Sequence, residues 1–133
     1  MGIWREAFRP HCHGLFVENG TLFAQRYVSD PQFRLLDTPE ERRAYLAPIP
    51  IPLDNARVFL DIGVGEPGQP ELPADRTLHV PAHRPRSRGR KHYTITVYVG
   101  DSDVYVGYPA GGGEARNMFW AIEKLVKAHG TRR

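Results

Sequence analysis

The chain has one cysteine, Cys12, in 133 residues. That excludes an internal disulfide framework and a thiolate-rich zinc site, and predicts a cytoplasmic or other reducing intracellular compartment. It has no apolar run near the roughly 20 residues that span a bilayer, so a membrane partner is not expected. The first ten residues reach Arg5 and Glu6 almost at once and do not read as a signal peptide. Internal repeats are missing. So are a Ser/His/Asp elbow and a phosphate-binding loop: Gly111-Gly112-Gly113 lacks the Lys-Ser/Thr ending that such a loop needs.

What is present is an ordinary globular composition, 41% hydrophobic and 25% charged, at the length of a single domain over 1–133. The net charge is +3, yet residues 84–91 alone hold five cations (Arg84, Arg86, Arg88, Arg90, Lys91) and no anion, so the rest carries −2. A mildly acidic body with one concentrated basic loop makes a focused field.

The patterning predicts an α+β fold: a mainly antiparallel sheet of about five or six strands, with a long C-terminal helix packed on one face. Asn19-Gly20 between apolar runs predicts a hairpin, because both central residues of a type I′ turn need positive φ. A two-residue turn pairs Val17 with Leu22, Leu15 with Ala24 and His13 with Arg26, and sets Phe16 by Phe23 and Cys12 by Tyr27. Thr38-Pro39-Glu40-Glu41 reads as a cap, a first-turn proline and a capping-box glutamate, predicting a short helix near 38–47. Pro/Gly-rich connectors follow at 48–53 and 65–75, with a buried strand at 57–64 between them and a short edge strand at 77–80. Residues 92–108 predict a second hairpin, in a register that faces Val97 with Val106 and Tyr98 with Tyr105. The last helix should run from 114 to 129 and stop at Gly130, with Met118, Phe119, Ile122, Leu125 and Val126 on its apolar arc.

Three functional readings follow. In the first, the chain is a small non-enzymatic binding module for nucleic acid or another polyanion. Arg84, Arg86, Arg88, Arg90 and Lys91, running into His92, match phosphate oxygens, and a Tyr98–Tyr105 pair offers a surface on which bases stack. In the second, it is a protein–protein module, such as an assembly subunit, an inhibitor, an immunity-type protein or a homo-oligomer. Trp120 falls on the polar side of the last helix among Arg116, Lys124 and Lys127, and the Pro-rich segments can wrap a partner.

The third reading is a metal-dependent single-strand nuclease. His11 and His13, two apart on a strand, point to one side and can share a divalent metal. With residues 14–17 they resemble the metal-binding motif of HUH single-strand endonucleases, whose resemblance implies a nucleophilic tyrosine in a Tyr-x-x-Lys signature; Tyr45, on the short helix, has Pro48 where that signature carries lysine. With Glu18 the same histidines resemble the cupin metal motif. His92-Tyr93-Thr94 resembles one of the paired elements of two-histidine phosphoesterases. The closing hairpin and helix resemble the second half of a double-stranded-RNA-binding domain, with one cation, Arg116, where that family clusters several.

Overall fold

A computed structural model describes residues 12–65, 75–81, 84 and 90–131. In chain order its elements are β1 (Cys12–His13), β2 (Leu15–Glu18), β3 (Thr21–Ala24), a 3-10 turn (Pro31–Leu35), α1 (Pro39–Leu46) and β4 (Ile49–Pro50). There follow β5 (Ala56–Val64), β6 (Thr77–His79), β7 (Lys91–Val99), β8 (Asp103–Pro109) and α2 (Gly112–Thr131). The fold is α+β, with two sheets rather than one. A five-stranded sheet runs β1-β8-β7-β5, with β6 also on β8, and a three-stranded sheet runs β2-β3-β4. Among the described residues the only parallel pair is β6 with β8, along Thr77–His79 against Asp103–Tyr105.

The first hairpin forms on the expected turn, with Asn19 and Gly20 both at positive φ, and with Leu15–Ala24 and Val17–Leu22 facing. It stops earlier than the pattern predicts. Gly14, at φ +100, turns the chain out of the small sheet, so Cys12 and His13 pair with Pro109 and Tyr108 instead of Tyr27 and Arg26. A side chain at Gly14 would be strained by that φ, and its Cβ would lie 2.5 Å from Pro81 Cγ. One residue thus hands a single extended run from one sheet to the other. The Gly14 carbonyl still accepts from Gln25 N–H, and its N–H donates to the Tyr27 hydroxyl, at 3.0 Å each.

The second hairpin closes through a three-residue loop, with Gly100 at φ +57 and Val99 facing Asp103. Loops of two or four residues would have set Tyr98 against Tyr105. The odd loop slides β8 by one residue, and a slip of one turns every side chain to the opposite face. Tyr98 therefore faces Val104, and Tyr105 faces Val97 on the core side. Strand β8 tolerates either register because both its faces are apolar: Val104, Val106 and Tyr108 are buried on one, Tyr105 on the other.

The core lies between the sheets and under α2. Leu15, Leu22 and Ile51 meet Ile95, Val97, Val99 and Tyr105, and Met118 and Ile122 close over them. Each such side chain contributes about 1.5–3 kcal/mol by leaving water. Phe119, Leu125 and Val126 pack at the margin, as the helical spacing predicts. Helix α2 runs through Gly130 to Thr131 instead of ending before it. Helix α1 starts as expected: the Thr38 hydroxyl accepts the Glu41 N–H at 3.1 Å and donates to the Glu41 carboxylate. The strand expected to be buried, β5, is an edge strand, with only β7 beside it among the described residues, and Phe59, Ile62 and Val64 are exposed. No helix among the described residues is long and apolar enough to cross a membrane.

Candidate nucleic-acid interface

One face of the five-stranded sheet belongs to α2; the other gathers arginines and aromatic rings. Alternation along β5 and β7 puts Arg57, Phe59 and Asp61 beside Tyr98, Thr96 and Thr94 on this second face. Tyr98 is its centre. Phe59 meets the Tyr98 ring edge-on at 5.6 Å, and the Arg57 and Arg76 guanidinium groups sit 5.8 and 5.3 Å from its centroid. These are cation–π distances, and they hold two positive charges against one half-buried ring.

Arg84 forms the second part of the site. It lies 4.2 Å over the Tyr108 ring, donates to Thr94 Oγ1 at 2.7 Å, and approaches His92 Nδ1 at 3.4 Å. Burial pushes the Tyr108 hydroxyl above its ordinary value, and the Arg84 charge partly offsets this. Under Arg84 the β8 side of the face is closed, with Val104, Val106 and Tyr108 buried; the accessible strip runs over β7 and β5.

The electrostatics are one-sided. Arg57, Arg76 and Arg84 make no salt bridge with any described residue. Arg76 Nη1 is buried with no hydrogen-bond acceptor among the described residues, and a buried donor left unpaired costs about 1–3 kcal/mol. Asp61 is the only carboxylate at a β5 or β7 position on this face. Guanidinium groups so placed can pair with anionic oxygens beside flat rings.

Of the residues singled out from the sequence, Arg84 and His92 meet at one end of this face, and Tyr98 lies on the same face six residues along β7 from His92. Arg90 and Lys91 are exposed at the start of β7, and Arg86 and Arg88 lie outside the described residues. Tyr105 does not join them: it is on the core side, stacked at 4.5 Å on His79, which hydrogen-bonds Asp103 at 3.0 Å. Arg57, Phe59 and Arg76 are the members that sequence reasoning missed. Arg57-x-Phe59 alternation was a usable signal; nothing local to Arg76 marks it.

The other candidates lie elsewhere. Trp120 is 60% exposed on the outer side of α2, with Arg116, Lys124 and Lys127 also exposed and Lys127 3.6 Å from Glu123. No described connector covers the indole to any great extent. His11 lies outside the described residues, and His13 stacks on Tyr27 at 4.1 Å with the rings 8° from parallel. No three metal-ligating side chains cluster among the described residues. Burial pushes the Cys12 thiol up to about 12, away from the thiolate form.

A cavity of about 630 Å³ opens between the sheets, beside β6. Arg26 lies over Tyr45 at 4.8 Å on its wall. Asp30, which also lines it, accepts from Tyr27 N–H and the Tyr45 hydroxyl through Oδ2, while its buried Oδ1 has no partner among the described residues. Compared with known proteins, the chain matches no family model, no curated protein and no solved structure.

Proposed function

We propose that the chain is a non-enzymatic module that binds nucleic acid, single strands in preference to duplex, on the sheet face opposite α2. The observation that carries this reading is the set of Arg57, Arg76 and Arg84, held against Tyr98 and Tyr108 without a carboxylate partner among the described residues. Phosphates can pair with the accessible guanidinium donors, and the exposed Phe59 ring supplies a surface for a base. In the sequence, residues 84–91 hold five cations and no anion, which adds to the positive charge that Arg84 brings to this face.

Fluorescence anisotropy of labelled single- and double-stranded oligonucleotides at two salt concentrations tests it. The single strand should bind more tightly and survive near-physiological salt. Combined Arg76→Ala and Arg84→Ala should weaken binding and lower the salt slope by about 0.7 for each phosphate no longer neutralised. Binding that shows no strand preference, or that these changes leave intact, overturns the reading.

A second reading, a protein-partner module, rests on the exposure of Trp120 among surface cations on the far side of the molecule. Trp120→Ala separates the two: it spares oligonucleotide binding under the first and removes a stable protein complex under the second.

A further inference from the structure

We infer that the open edge of β5 is a self-association site, where a second copy of this chain adds its own β5 antiparallel, centred on Phe59. It shares Arg57 and Phe59 with the face proposed for nucleic acid, and its readout, self-association without nucleic acid, is separate from oligonucleotide binding. The edge itself is the first observation. β5 is nine residues long, and no described residue pairs with its outer side. The Asn55 carbonyl accepts from Gly100 N–H, and Gly65 N–H donates to the Arg90 carbonyl. In an antiparallel ladder the bonded pairs recur every second residue, so 57, 59, 61 and 63 bond toward β7. The backbone groups of Val58, Leu60 and Ile62 therefore point out of the sheet.

Edges of this kind are normally blunted by proline, lysine, a bulge or an overlying segment. β5, Ala-Arg-Val-Phe-Leu-Asp-Ile-Gly-Val, has no proline or lysine, and its register with β7 is unbroken from Ala56 to Val64. It also carries Phe59, Ile62 and Val64 at 46, 55 and 73% exposure, three of the large apolar side chains most open to water.

Charge then selects the occupant and the register. Arg57 and Asp61 lie on one face of β5, two residues either side of Phe59, and neither has a salt bridge within the described residues. A second β5 centred on Phe59 sets Arg57 of each copy opposite Asp61 of the other, with Phe59 against Phe59 on the two-fold axis. Val58 and Leu60 then exchange backbone hydrogen bonds across the seam. Shifting the centre to Leu60 would set Asp61 against Phe59 and Arg57 against Gly63, leaving both charges unpaired. A strand whose charges complement its own reversed copy suits an isologous contact, and the two large sheets become one continuous sheet.

Sedimentation of the full chain over a concentration series reads this out. The unaltered protein should dimerise. Arg57→Asp and Asp61→Arg should each weaken the dimer by on the order of tenfold, because each puts like charges opposite at two symmetric places. The double charge swap should restore it. In a Cys12→Ser background, Phe59→Cys should give an inter-chain disulfide on mild oxidation, since a non-hydrogen-bonded pair brings the two Cα atoms to about 4.5 Å. A chain monomeric throughout the series, or a double swap that stays as weak as the single changes, overturns the inference. Unchanged melting temperatures in the variants would show that the fold is intact.

Discussion

The two faces of the five-stranded sheet share the same strands yet differ in what they hold. Toward α2, β7 presents Ile95, Val97 and Val99, and the helix answers with Met118 and Ile122, all buried. Away from α2 the same strand presents Thr94, Thr96 and Tyr98, joined by Arg57, Arg76 and Arg84. The first face is closed by packing and accepts any apolar group of the right volume. The second combines half-buried rings with guanidinium groups that find no counter-charge among the described residues, an arrangement that adds little to stability. Strand period alone separates the two chemistries across a single layer of backbone.

The sharpest way to break this contrast is on the helix face. Ile122→Ala should cost about 2–5 kcal/mol, because the site is fully buried and a cavity would remain; chemical denaturation measures it. On the other face, Tyr98→Ala removes a half-buried ring and should cost less than a fully buried site, with about 0.5–1.5 kcal/mol of the loss coming from its edge-on contact with Phe59 beyond the area it buries, while oligonucleotide affinity falls far more than stability does. Equal stability losses at the two positions would erase the distinction.

The smallest effect concerns the seam of β6 and β8, and it changes with pH in the acid range. The hydrogen bond from His79 holds the Asp103 carboxyl below its ordinary value. Its ionisation therefore contributes stability that is present above the unfolded Asp value of about 3.9 and is lost as pH falls through the lower folded one. Asp103→Asn should flatten that limb of an acid titration followed by circular dichroism, and leave a modest deficit at neutral pH.

Much of the fold was legible. The Asn19-Gly20 turn, the Thr38 cap and the apolar arc of α2 are short-range signals, written within a few residues, and each appears in the structure. The register of the second hairpin was not, because the segment 100–102 supports an odd loop as readily as an even one, and β8 is apolar on both faces. That ambiguity separated Tyr105 from Tyr98. The division into two sheets was also hidden: Gly14 sits inside an extended apolar run and reads as a strand residue until its neighbours Pro81, Tyr27 and Gln25 are in place. Likewise β5 has the composition of a central strand, and only the sheet order shows that it lies at the edge.

By itself, then, the sequence determined the element types, the turn and cap positions, the helix face and the concentrated charge at 84–91, since propensity, periodicity and charge are local. Tertiary structure alone decided which rings share a face, that Arg57 and Arg76 flank Tyr98, and that no described strand pairs with the outer side of β5. Those are meetings between residues far apart in the chain, set by loop parity and by which strand finds a neighbour, and no window of sequence contains them.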